Sequence, residues 1–310
     1  MIGREMQIVV EKLQSAKLTA ILKVQSCVMQ EVHDYMHEKG LLQLMPVIIS
    51  PITDPLNHSV LEGEICYYDE KLQLTKSMIL HKQLSLLGDR EGIYIISPNV
   101  RLEPKERGAT GRHLLEFTQV DFELKGKKAG DVMVFMEELY GRIFAKVRKE
   151  CSAELELLGR SLKTPNFPLK KFDSAELKRT LGSDWEKVVS KTAVDPIWVT
   201  NHEREFYDKE DPQRPFTYLN YDIVYPEGFG EGLSGAEREN EYAQILSRMQ
   251  RNKMDLGPYS AYLEVARAGL LQPSAGAGFG VERLVRYLCG TSRIEEVAPF
   301  AKVPGGKFIF

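Results

Sequence analysis

Two neighbouring segments, EGIYIISPNVRLE (91–103) and HLLEFTQVDFELK (113–125), constrain this chain more than any other stretch. Both alternate in the manner of β-strands, whose successive side chains point to opposite faces. In the second segment Val120, Phe122 and Leu124 share one face. Gln119, Asp121 and Glu123 share the other, with Phe117 beside them. In the first, Arg101 and Glu103 fall together, opposite Val100 and Leu102. A strand pair with one apolar and one charged face is ordinary in a half-solvated sheet. The connecting loop PKERGATGR argues for more, because Lys105, Arg107, Arg112 and His113 can reach over the charged face and grip phosphate.

Around this pair the chain reads as helices and further strands. The first 40 residues have helical spacing interrupted near Lys17–Thr19, with Val28, Val32, Tyr35 and Met36 on a buried stripe and Gly40 as a stop. His33 and His37 lie at i and i+4, but without an HExxH context they read as part of a polar helical face. LLQLMPVIIS predicts a strand carrying Pro46, and SMILHKQLSLLG (77–88) a short helix capped by Gly88. A long helix is expected from about Asp131 to Leu158. Residues 160–215, rich in proline and charge, read as an insertion with short helices and the strand-like IWVTN. TYLNYDIVY (217–225) predicts a strand, 238–252 and 259–270 helices, and GAGFGVERL (276–284) a glycine-rich turn opening a final helix. Hairpins and helices without regular βαβ alternation predict an α+β fold with a mainly antiparallel sheet.

Taken singly, the glycine-rich turn is weak, and it is not the dinucleotide fingerprint GxGxxG. Taken in order, the segments resemble the three signature motifs of class II aminoacyl-tRNA synthetases. VRLE followed by GRHLLEFTQVDFE resembles motif 2, GAGFGVER motif 3, and the helix before Gly40 with the strand at Pro46, more loosely, motif 1. The resemblance covers nearly the whole chain from about Val24. RHLLEFTQVDFEL and EGLSGAER (231–238) look most like the aspartyl/asparaginyl subgroup.

This resemblance implies ATP as co-substrate. Arg101 would neutralise the α-phosphate and, with Arg283, is a candidate catalytic residue. Arg112 and His113 would hold the terminal phosphates, and Glu103 would orient the adenine between Phe117 and Arg283. Glu231 and Ser234 match positions that coordinate Mg2+, a hard cation suited to oxygen ligands. Pro46 would sit in a homodimer interface. Lys82 and Arg238 would clamp a carboxylate of aspartate, with Ser77, Gln119 and Asp121 completing the amino-acid site. The plain alternative for Lys82 is a solvated helix residue.

Two departures from the subgroup bear on the reaction. The SPQ-like segment keeps Ser77 but has Met78 and Ile79, and ITDPLNHS stands where an acidic-diglycine loop would cover the α-amino group. With only 23 residues before the motif 1 region, a single catalytic domain spanning 1–310 is expected, with no anticodon-binding domain. The chain is then similar to the archaeal asparagine synthetases related to asparaginyl-tRNA synthetase. Aspartate, ATP and ammonia would give asparagine, AMP and pyrophosphate through a β-aspartyl-adenylate, with no tRNA partner. Asp121, Glu123 and Asp54 are candidates for handling ammonium. Cys27 lies too deep in a helix to be a glutaminase nucleophile, so free ammonia is the expected donor. A ligase charging RNA or another acceptor, or a non-catalytic synthetase-like regulator, are the competing readings.

Composition only bounds this. With 310 residues, 43% hydrophobic and 27% charged, the chain is long enough for one large core, and no apolar run approaches a membrane span. A net charge of -3 does not advertise nucleic-acid binding. The four cysteines form no CxxC pair, and the start lacks the pattern of a signal peptide, so a cytoplasmic protein is expected.

Overall fold

A computed structural model describes residues 3–309; the part of the helical reading that falls on Met1 and Ile2 lies outside these, as does Phe310. The N-terminal periodicity produces two helices, α1 (Arg4–Gln14) and α2 (Ala16–Glu38). The break falls at Ser15 rather than at Lys17–Thr19, because the Ser15 hydroxyl accepts the Leu18 N–H at 3.1 Å and starts a new helix. Val28, Val32, Tyr35 and Met36 are fully buried, each such burial stabilising by about 1.5–3 kcal/mol. The expected strand around Pro46 divides into β1 (Leu42–Leu44) and β2 (Ile49–Ser50), since proline has no N–H for a ladder. β2 joins β3 (Glu64–Tyr67) and β4 (Glu70–Leu74) in a small three-stranded sheet.

The expected hairpin forms after α3 (Ile79–Ser85), as β5 (Gly92–Val100) and β6 (Glu116–Lys125), with Val100 opposite Glu116. The next helix divides at Cys151 into α4 (Ala129–Glu150) and α5 (Ser152–Leu157). Residues 160–215 supply β7 (Lys171–Asp173), α6 (Ser174–Leu181), α7 (Trp185–Thr192) and β8 (Ile197–Thr200). They are followed by β9 (Asn220–Tyr225), β10 (Gly230–Glu237), α8 (Tyr242–Arg251), α9 (Ser260–Arg267), β11 (Ser274–Gly280) and α10 (Val281–Cys289).

Eight strands form one sheet in the order β1-β5-β6-β11-β10-β9-β8-β7. Only β1–β5 and β7–β8 pair in parallel, so the architecture is the mainly antiparallel α+β fold expected. One face, with Val120, Phe122 and Phe279 fully buried, packs into a core shared with α2, α4 and α10. The other face carries charge, yet it is not solvated: Asp121 is 3% exposed and Glu123 0%. No helix among the described residues is long and apolar enough to cross a membrane.

The glycine-rich segment is mostly a central strand rather than a turn. Gly276 pairs with Glu123 and Gly278 with Asp121. A Cβ at Gly276 would meet Glu123 Oε2 at 2.2 Å, and one at Gly278 would meet Asp121 Oδ1 at 2.4 Å. The carboxylates of β6 lie across β11, and only glycine leaves room for them.

Candidate active site

A cavity of about 440 Å³ opens on the charged face, lined by Arg101, Glu103, Arg112, His113, Phe117 and Arg283 toward one end. Arg101 leaves the end of β5, its Nε donating to the Lys76 carbonyl at 3.0 Å while its guanidinium lies over the Phe117 ring at 5.1 Å. Arg112 donates to Glu186 at 2.9 Å, and Arg283 to the Glu231 carbonyl at 3.0 Å. Burial opposes ionisation of Glu231, but Arg283, Arg204, Arg112 and Arg101 outweigh it and hold the carboxyl below its usual range. A cavity that gathers four guanidiniums around one carboxylate suits a polyphosphate.

Burial, with Arg283 beside it, pulls His113 down to about 4. His113 is therefore neutral at pH 7 and can offer a phosphate a hydrogen bond but no charge. Burial also opposes ionisation of Glu103. His58, 3.0 Å away, with His113 and Arg101, outweighs it and keeps the carboxyl below its ordinary range. Glu103 Oε2 is buried without a hydrogen-bond partner, an acceptor fit for an exocyclic amine.

At the opposite end lies a buried ion network. Lys82 on α3, 2% exposed, donates to Asp121 Oδ1 at 2.9 Å and sits 3.8 Å from Glu123. Arg238, just past β10, pairs with Glu123 at 3.1 Å and Asp208 at 3.3 Å. The sequence brings Lys82 and Arg238 together as expected, and Lys82 is not a solvated helix residue. Neither cation is unpaired, however, because the chain's own carboxylates already neutralise them. Ser77 donates to Asp54 at 2.9 Å, and Gln119 accepts from Asn99.

Glu231 and Ser234 are three apart on β10, a spacing that ordinarily places side chains on opposite faces. The register shifts between Glu231 and Leu233, so Gly232 forms a bulge and both side chains line the cavity. A Cβ at Gly232 would fall 2.0 Å from the Tyr225 ring, which reserves the bulge for glycine. The Ser234 oxygen accepts from Arg204, which also pairs with Asp222. A carboxylate and a hydroxyl are the hard oxygen donors that Mg2+ requires, and they fit it as a partial shell for an ion that arrives on phosphate. Among the described residues no three His, Cys, Asp or Glu side chains gather as a ready-made metal site, and His33 instead contacts the Tyr94 hydroxyl at 3.0 Å.

Residues 160–215 contribute lining groups that the sequence reading left out: Glu186, Arg204, Glu205, Tyr207 and Asp208. The signal available was the density of charge around Phe206-Tyr207 in HEREFYDKED, between two apolar strands.

A family profile described as tRNA synthetases class II (D, K and N) matches residues 5–304. The asparagine–tRNA ligase of Pyrococcus horikoshii is 29% identical over 311 residues, covering 94% of this chain and 70% of that protein. The asparagine–tRNA ligase of Thermococcus gammatolerans is 28% identical, covering 94% and 71%. Asparaginyl-tRNA synthetase from Pyrococcus horikoshii complexed with asparaginyl-adenylate has a TM-score of 0.88 at 26% identity, covering 99% of this chain and 74% of that one.

These relatives correct two expectations, ammonia-dependent synthesis of asparagine and the exclusion of tRNA as a partner. Both rested on the short stretch before the motif 1 region and on the altered segments at Met78, Ile79 and ITDPLNHS, whereas the residues that make an adenylate are indifferent to the nucleophile that follows. None of Arg101, Glu103, Glu231 and Arg283 distinguishes ammonia from a ribose hydroxyl.

Proposed function

Because the chain belongs to the class II tRNA synthetases of the D, K and N group, we propose that it is an AMP-forming ligase that activates the α-carboxylate of asparagine with ATP and passes the acyl group to tRNA. The observation that carries this is one cavity lined both by a cluster of guanidiniums and by a buried, internally neutralised ion network. A carboxylate oxygen of the amino acid attacks the α-phosphorus, pyrophosphate leaves, and a terminal ribose hydroxyl of tRNA then displaces AMP.

In this reading Arg101 meets the charge that grows on the α-phosphate. Arg112 and His113 contact the outer phosphates, and Arg283 and Phe117 flank the adenine, whose amine Glu103 accepts. Glu231 and Ser234 would hold Mg2+, which would supply charge neutralisation to the phosphates. Ser77, Lys82, Gln119, Asp121 and Arg238 frame the amino acid. The described residues act as one catalytic unit that includes 160–215.

Internal neutralisation of Lys82 and Arg238 by Asp121, Glu123 and Asp208 favours a neutral amide side chain over a second carboxylate. The buried Lys82 itself favours aspartate as the second reading. ATP–pyrophosphate exchange with each amino acid, followed by transfer of labelled amino acid to tRNA, tests both. Asparagine-dependent exchange with label bound to RNA is expected. Exchange with aspartate alone would select the second reading, and exchange without RNA-bound label would overturn the acceptor. Arg101→Ala should slow exchange by roughly 10²–10³-fold while leaving the melting temperature unchanged.

A further inference from the structure

The segment ITDPLNHS (52–59), which departs from the aspartyl/asparaginyl subgroup, runs along the cavity between two fixed points. At one, Asp54 accepts from Ser77 at 2.9 Å and from the Tyr207 hydroxyl and the Leu56 N–H at 3.0 Å each. At the other, the Leu61 N–H donates to the carbonyl of Leu102, the residue before Glu103, at 2.9 Å. Between these anchors Leu56, Asn57 and His58 line the cavity. A strap tied at both ends delivers the His58 imidazole to a set place.

That place is Glu103, whose side chain is 4% exposed and whose Oε1 stands 3.0 Å from His58 Nε2. The carboxyl is held below its ordinary range and only accepts at pH 7, which puts the proton of the pair on His58 Nε2. Oε1 is engaged in this way, while Oε2 stays buried with no hydrogen-bond partner. The two oxygens of one carboxylate are thus told apart. A carboxyl free to rotate, or to take up a proton, could serve a carbonyl as readily as an amine. A fixed carboxylate can only accept. At the 6-position of a purine, adenine carries an amine donor and guanine a carbonyl acceptor.

We propose that His58 is a positioning residue for base selection, turning Glu103 so that Oε2 accepts the exocyclic amine of a 6-aminopurine nucleotide and repels a 6-oxopurine. This rests on the ATP-dependent reading above, in which Glu103 meets the adenine. It gives the altered 52–59 segment a task at the base end of the nucleotide.

The test is equilibrium dialysis of ATP and ITP with wild type, His58→Ala and His58→Gln, joined to KM and kcat from ATP–pyrophosphate exchange. ITP carries a carbonyl where ATP has the amine. Wild type should bind ATP more tightly than ITP. His58→Ala should raise Kd and KM for ATP by roughly 10-fold and leave Kd for ITP and KM for the amino acid unchanged, so that the preference shrinks. A Gln amide can donate from near the position of Nε2, so His58→Gln should restore most of the preference. Equal weakening of ATP and ITP in His58→Ala, or no change in either, would overturn the role of His58, while a wild-type preference for ATP upholds the reading of Glu103. A wild type that binds ATP and ITP alike would overturn both.

Discussion

Lys82 is a four-carbon stem ending in a charge, and it is buried because Asp121 and Glu123 stand 2.9 and 3.8 Å from its nitrogen. Such a pair adds little over an apolar equivalent, but removing one partner strands the others. Lys82→Met should therefore destabilise the fold by about 3–5 kcal/mol, read by chemical denaturation. Glu205 works in the opposite sense. Its carboxyl moves from an ordinary value of 4.5 up to about 8, so across that interval the folded chain holds a proton that the unfolded chain releases. The stability tied to this group is intact below about pH 4.5 and lost as pH rises through about 8. Glu205→Gln cannot lose it, so its melting temperature should climb relative to the parent from about pH 5 to about pH 9.

Among the elements, β10 shows how one residue re-aims a site. Gly232→Ala would drive a methyl into Tyr225, which is fully buried and stacked on Tyr287. It should cost about 1–3 kcal/mol in a denaturant titration and raise the Mg2+ concentration needed for exchange, since Glu231 and Ser234 would no longer share a face. The hairpin of β5 and β6 was legible because Val120 and Phe122 recur every second residue above polar partners. β11 was not, because the alternation in SAGAGFG is carried by small residues, with Ala275, Ala277 and Phe279 in the core and glycines opposite them making room for Asp121 and Glu123. Parity told which face Asp121 and Glu123 occupy but not what lies within 4 Å of them. That Lys82 and Arg238 come together was therefore legible, while their neutralisation by Asp121, Glu123 and Asp208 was not. Phe206, Tyr207 and Asp208 fall in the charge-rich stretch 160–215 read only as an insertion, yet they are buried, with Arg248 and Arg238 reaching them from later in the chain.

At the scale of the whole molecule, the site draws on segments from Asp54 to Ile294, so its geometry depends on the sheet closing in one register. Residues 160–215 take part twice, through the lining groups and through β8, which pairs onto β9 with β7 beyond it. All six residues of β9, NYDIVY, are buried. A chain trimmed of 160–215 would turn β9 into a bare edge, its N–H and C=O groups open to any passing strand. Such a deletion should move the protein from the supernatant to the pellet rather than yield a smaller enzyme, as fractionation by centrifugation would show. What reads along the sequence as an embellishment is, for solubility, the guard on a strand buried along its whole length.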